Sequence, residues 1–483
     1  MSDELDVLII GAGLSGIGMA SHLARACPSK QVALLERRRS VGGTWDLFRY
    51  PGIRSDSDML TFGFDFRPWT GSSTLAAGST IRAYVEDTAR EYDVARKIHF
   101  GLKTVSAAWS SETARWTVVA VDEATGAQRT FTARFLIAAT GYYSYDDGYL
   151  PRFEGQEDFA GLRVHPQHWP EGLDYRGKQV VVIGSGATAV TLVPAMAGVA
   201  GHITMLQRSP GYVFSLPGND TLAQVLKKVL PERWVYRLAR WRNLKMQRFF
   251  FRFARRFPER ARRFLLRQVR RQVGDGVDMA HFTPRYAPWD ERLCAVPDGD
   301  LFKVLRAGQA SVVTDDIVRF TRSGVLLKSG RELPADIIVT ATGLNLQLLG
   351  GMTLTVDGRP FSPEAHLTYK AVLVQDVPNF AALFGYTNAS WTLKVDLAAR
   401  YLCRLLDALD AKGARAVTPR APEGQVQPGE NMFGALSAGY VKRGEHLLLR
   451  QGRAGPWRVT HDYEQDRAML GGAVVDGGEL EWT

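Results

Sequence analysis

The chain has 483 residues, 45% of them hydrophobic and 23% charged, with 47 Gly and 22 Pro. That is globular composition for two or three domains, not a disordered, collagenous or coiled-coil chain. No apolar run reaches the roughly 18 residues of a membrane span, the acidic start Met1–Asp6 does not read as a secretory leader, which would start basic and continue apolar, and Cys27, Cys294 and Cys403 lie too far apart in sequence for a disulfide framework or a metal knuckle. The expected location is the cytosol.

Leu5–Ile10 reads as a strand, Gly11-Ala12-Gly13-Leu14-Ser15-Gly16 as a turn, and the stretch to about Ala26 as a helix. Gln31–Leu35 is the next strand and ends in Glu36. A GxGxxG turn in this βαβ setting lets the backbone approach a pyrophosphate at a helix N-terminus. Glu36 follows Gly11 by 25 residues, the place of a ribose-binding acid. Phe135–Ala139 then leads to Thr140-Gly141, an exit from a first dinucleotide unit.

The pattern repeats. Gln179–Ile183 is a strand, Gly184-Ser185-Gly186-Ala187-Thr188-Ala189 a second turn with Ala for the last Gly, and His202–Gln207 a strand ending at Arg208-Ser209. Arg208 follows Gly184 by 24 residues, so Glu36 and Arg208 hold equivalent positions with opposite charge. A carboxylate accepts from free ribose hydroxyls, whereas a guanidinium suits a 2′-phosphate. The first unit should therefore hold FAD or NAD and the second NADPH. Asp336–Thr340 leads to Ala341-Thr342-Gly343, a second exit.

The expected fold is α/β with two Rossmann-like dinucleotide-binding domains. The first is discontinuous, 1–145 plus 335–483. The second, 146–334, is inserted within it and carries a helical excursion over about 218–280. Residues 411–430 read as a loop, and the glycine-rich tail 471–483 adds little core. No closely spaced cysteine pair is present, which excludes flavin-dependent disulfide reductases.

Net charge is +10, and its excess is local: residues 222–273 hold 17 Lys/Arg against Glu232 and Glu259, or +15, leaving −5 elsewhere. Aromatics such as Trp234, Trp241, Phe249 and Phe264 interleave with the arginines. Two readings stay open. The segment is a helical subdomain whose aromatics form core or a substrate entrance, or it makes a peripheral contact with an anionic membrane. A nucleic-acid surface is disfavoured, because the rest of the chain is acidic.

Phe159-Ala160-Gly161-Leu162-Arg163-Val164-His165-Pro166-Gln167-His168-Trp169-Pro170 resembles the FxGxxxHxxxWP fingerprint of Baeyer–Villiger monooxygenases, within the class B flavoprotein monooxygenases. Gly42-Gly43-Thr44-Trp45, Tyr50-Pro51-Gly52 and Asp56 are similar to the family's longer signature. Trp45–Tyr50 and Tyr386–Trp391 resemble one branch, which contains a mycobacterial enzyme that oxidises the thioamide ethionamide.

The resemblance implies that NADPH reduces FAD, that oxygen adds to give a C4a-peroxyflavin, and that one oxygen atom is inserted beside a ketone carbonyl or passed to a sulfide or thioamide sulfur. The implied partners are molecular oxygen and a small lipophilic ketone or sulfide. It also implies that Gly11, Gly13, Ser15, Gly16 and Glu36 hold FAD, with Thr44, Trp45, Asp46 and Leu47 along its path and Val105 at adenine. Arg54, Ser55 and Asp56 face the flavin and nicotinamide. Gly184, Ser185, Gly186, Ala187, Thr188, Ala189, Arg208 and Ser209 hold NADPH. The string Tyr286-Ala287-Pro288-Trp289-Asp290-Glu291-Arg292-Leu293 makes Arg292 the catalytic cation, with Asp56 beside it, and Glu291 stands where the family has a lysine. His165 reads as a hinge contact. Two alternatives remain: a class B enzyme that oxygenates nitrogen or sulfur, and a membrane-docked NADPH oxidase or redox sensor.

Overall fold

The computed structural model describes residues 4–483 apart from 72, 292, 423, 425, 435, 437, 475 and 476. Strand β1 (Leu5–Ile10), helix α1 (Leu14–Ala26) and strand β2 (Val32–Glu36) form the opening unit. β1 lies between β2 and the long strand β3 (Gln128–Ala138), parallel to both, with Val7 opposite Val32 and Phe135. The last four residues of β1 are buried, as expected of a strand covered on both faces. An antiparallel meander, Leu102–Ser110 and Arg115–Asp122, widens this sheet, and Phe380–Ala382 pairs with the end of β3.

The second sheet is all parallel. Its centre is β4 (Gln179–Ile183), followed by helix α2 (Ala187–Met196) and strand β5 (His202–Gln207). Ala310–Thr314 lies beyond β5, and on the other side stand β6 (Ile337–Thr340) and Leu162–Val164.

Starting the return of the chain at 335 would assign β6 to the first unit. The register Ile338 opposite Val181 places it inside the second sheet instead. The reason is steric and repeats in both units. A Cβ on Gly11 would lie 2.7 Å from the Ala139 carbonyl oxygen, and one on Gly184 would lie 2.4 Å from that of Ala341. Each glycine turn closes against its own Thr-Gly exit.

The 411–430 and 471–483 expectations are also corrected. Val417–Pro419 pairs with Leu480–Trp482, and Leu480 is buried in the main core with Leu409 and Val417. Helix α3 (Glu232–Arg256) and helix α4 (Pro258–Val273) fill most of the excursion, after a short helix at Thr221–Leu226. Buried Arg240 fastens α3 to the first unit by donating to the carbonyls of Leu60 at 3.0 Å and Gly63 at 2.7 Å. Helix α5 (Trp391–Ala411) packs on α1 across the first core. Among the described residues no helix is long and apolar enough to cross a membrane.

Candidate active site

At the first turn Gly11 adopts φ +103°, and a Cβ on Gly16 would lie 1.9 Å from the Gly11 carbonyl oxygen, so neither tolerates a side chain. The N-cap of α1 is Gly13, which supplies no side-chain acceptor. The amides of the first helical turn are therefore left for a ligand, at the positive end of the helix. The Ser15 hydroxyl oxygen accepts from Trp391 Nε1 at 2.7 Å, which leaves its own proton to donate. Glu36 is 4% exposed and accepts from the amides of Ala12 at 2.7 Å and Arg38 at 2.8 Å. Burial pushes its pKa above the usual carboxylate range.

A cavity of about 1220 Å³ begins at these residues and continues past Thr44, Trp45 and Asp56. It reaches Asn243, Gln247, Phe250 and Phe251 on α3, and Trp289 and Glu291 opposite them. Asp56 is exposed within it. Ser55 is buried, bonded through its amide to Ala76 and through its hydroxyl to Ser57.

Other expected positions fall outside this cavity. Asp46 is buried and accepts from Arg38 at 2.6 Å, Arg49 at 2.5 Å and Arg82 at 3.1 Å. Burial opposes its charge, but the bonded arginines hold its carboxyl below the usual range. Asp46 therefore ties the signature loop together rather than lining the cavity. Leu47 packs into the second unit's core. Arg54 pairs with Asp300 at 2.5 Å, bracing the same loop against the second unit. Val105 sits at a bulge, its carbonyl 3.4 Å from Thr353 Oγ1, while Lys103 and Thr104 line the cavity.

Asp58, Asn243 and Gln247 are among the lining residues that escaped the sequence reading. Asp58 accepts from Asn243 Nδ2 at 2.9 Å and Gln247 Nε2 at 2.6 Å, joining the signature loop to α3. The only signal was two amides four apart within a basic helix, which place both on one face.

The second turn repeats the first with open surroundings. Gly184 has φ +144°, and the N-cap of α2 is Gly186, again without a side-chain cap. No atom lies within 4 Å of a Cβ built on Gly186. Ser185 Oγ donates to the Ser209 carbonyl at 3.1 Å, which fixes the two loops together. Thr188 lies against the Tyr50 hydroxyl, whose pKa burial pushes up to about 12. Ala187 is exposed and Ala189 buried. Arg208 and Ser209 are exposed, and Arg208 makes no hydrogen bond or ion pair among the described residues.

Arg292 lies outside the described residues. Its neighbours Trp289 and Asp290 contact α3: Trp289 packs 5.7 Å from Phe251, and Asp290 accepts from Arg255 at 2.7 Å. The fingerprint motif lies between the units. His165 Nδ1 accepts from the Gln167 amide at 3.2 Å, so Nε2 carries the proton toward the Gly343 carbonyl at 3.2 Å. Gly343 leads into Leu344–Leu346, which pairs with Tyr143–Gly148 where the chain passes between the sheets. His168, given no role from sequence, bonds the Asp146 carbonyl at 2.8 Å in that same ribbon.

Residues 5–235 match the family model described as Pyridine nucleotide-disulphide oxidoreductase. That span contains Cys27 alone, so the match is to the dinucleotide fold and not to a redox cysteine pair. The chain is 58% identical over 488 residues to MymA of Mycobacterium tuberculosis, covering 100% of this chain and 98% of that protein. It is 50% identical over 485 residues to the FAD-containing monooxygenase EthA of the same species, covering 100% and 98%. The chain belongs to the FAD-containing monooxygenases. Oxidized steroid monooxygenase bound to NADP shares the monooxygenase's fold, with TM-score 0.77, 24% identity and 99% of each chain covered.

Proposed function

We propose that this flavoprotein monooxygenase binds FAD at the first turn and NADPH at the second, and carries out Baeyer–Villiger oxygenation of lipophilic ketones. Sulfides and thioamides are its further substrates. One oxygen atom of O2 enters the product and the other leaves as water, with NADPH supplying both electrons. The observation that carries this reading is the continuous cavity, which joins the Gly11–Glu36 cradle to an apolar chamber at Phe250, Phe251 and Trp289.

The residues of the cradle fit a dinucleotide with free ribose hydroxyls. The uncapped α1 terminus faces a pyrophosphate, Ser15 donates, and Glu36 retains lone pairs beyond its two amide bonds. When bound, the flavin supplies hydride acceptance and oxygen activation. The chain positions the reactants and keeps water out. Arg208 and Ser209 take the 2′-phosphate, and Gly186 leaves room for the pyrophosphate. Asp56, exposed in the cavity beyond the cradle, would meet the flavin ring when the group is bound. Arg292 supplies a fixed positive charge, since a guanidinium stays protonated when desolvated.

The test is product analysis from a ketone panel and a sulfide panel with NADPH under air. Esters or lactones from ketones support the reading. Sulfoxides or N-oxides alone would shift it to a nitrogen- and sulfur-oxygenating enzyme. NADPH consumption without any oxygenated product would favour an oxidase or redox sensor.

A further inference from the structure

The outer surface of the helical excursion is apolar and basic at once. Of sixteen large hydrophobic side chains exposed among the described residues, eleven lie between Leu222 and Phe264. On α3 they form a stripe at helical spacing, Trp234, Leu238, Trp241 and Phe249, opposite the buried face that carries Val235 and Ala239. Exposed Leu222 and Val229 extend it before α3, and exposed Phe257 and Phe264 extend it into α4. A soluble surface rarely gathers this much contiguous apolar area without a partner.

Charge flanks the stripe. Lys228, Arg233, Arg237, Arg263, Arg267 and Arg271 are exposed and make no ion pair among the described residues. Other cations of the segment are already matched, such as Arg242 with Asp220 and Arg255 with Asp290. The unmatched set belongs to a stretch of +15 on a chain that is otherwise −5.

The cavity opens on this face. Leu222, Met246, Phe249 and Phe264 line it, yet are 51%, 60%, 70% and 51% exposed. Side chains that line a chamber and also face outward form its rim.

We propose that this face docks on an anionic membrane surface, the stripe entering the headgroup layer and the unmatched cations meeting lipid phosphates. Lipophilic substrates then pass from the bilayer into the cavity through the Met246–Phe249–Phe264 rim. The charge selects the occupant: a second copy offering the same face would bring +15 against +15, whereas an anionic bilayer complements the cations and accepts the aromatics together. Basic side chains extend their heads to the phosphates while their stems cover apolar surface. The proposal rests on the monooxygenase reading and deepens it by naming where its substrate comes from, but its deciding readout is vesicle partitioning rather than turnover.

The test is flotation of the FAD-loaded protein with vesicles of phosphatidylglycerol and phosphatidylcholine, and with phosphatidylcholine alone, at low and high salt. Co-flotation is expected with the anionic vesicles at low salt, weakening as salt rises. The double variants Arg233→Glu/Arg237→Glu and Trp234→Ser/Trp241→Ser alter residues outside the cavity. Each should lower partitioning by about tenfold or more, with flavin content and oxygenation of a water-soluble substrate retained. Absence of co-flotation at low salt, or both variants partitioning like wild type, would overturn the proposal. So would concentration-dependent dimerisation abolished by the same substitutions, or tighter binding to a single-stranded oligonucleotide than to the vesicles. Failed oxygenation with intact flotation would count against the monooxygenase reading alone.

Discussion

At the first glycine turn Glu36 is buried and already bonded to the Ala12 and Arg38 amides, whereas at the second Arg208 is exposed and unpaired among the described residues. The backbones that place them are alike: each turn starts with a positive-φ glycine packed on the carbonyl of its own exit, and each leads into a helix without a side-chain cap. The difference lies in preparation. A buried acceptor with fixed geometry costs little further ordering when its ligand binds, which favours a retained group. An exposed arginine must be ordered on binding, which suits a coenzyme that enters and leaves each cycle.

The largest expected effect breaks the symmetry at the glycines. Gly16→Ala forces a Cβ to within 1.9 Å of the Gly11 carbonyl, while Gly186→Ala meets no atom within 4 Å. The first variant should lose its flavin during gel filtration, read as absorbance near 450 nm per protein. The second should fold with normal flavin and show a raised KM for NADPH. Equal flavin content in both would mean the first turn is not the flavin cradle.

Next in size is Arg208→Ala. Losing one charge-assisted hydrogen bond costs about 1.5–3 kcal/mol, or roughly ten- to hundredfold. The loss should fall on kcat/KM for NADPH and leave that for NADH nearly unchanged. A parallel fall with both coenzymes would remove Arg208 from the 2′-phosphate site.

A smaller effect is expected from proton linkage at Glu36. Burial raises its folded pKa above the ordinary 4.5, so the folded chain holds the proton more tightly than the unfolded one. Charging Glu36 therefore costs stability, fully above the raised value and not at all below 4.5. The stability of the wild-type apoprotein relative to Glu36→Gln should rise as pH falls from neutral through that window. Thermal melts of both apoproteins across the range check this. A pH-independent difference would show that Glu36 is not desolvated in the absence of ligand.

The opening βαβ unit was legible because three signals coincide there: continuous apolar strands, a strained glycine turn and a charge at fixed distance. The same logic found the second unit, but not the membership of Ile337–Thr340. Two nearly identical exits, Ala139-Thr140-Gly141 and Ala341-Thr342-Gly343, cannot be assigned until the carbonyl against each glycine is known. Val417–Pro419 and Leu480–Trp482 were hidden because three-residue strands carry no periodicity of their own. At the site, Asp46 and Asp56 looked alike in sequence. Only the fold shows that three arginines enclose the first and that the second faces the cavity. Asn243 and Gln247 went unread because the surrounding arginines dominate the composition of α3.

The most direct test of the account is stoichiometry. Purified protein turning over a ketone or sulfide under ¹⁸O2 should form close to one oxygenated product per NADPH oxidised, with one labelled oxygen in each product molecule. NADPH oxidation that yields hydrogen peroxide and unlabelled substrate across both panels would contradict it.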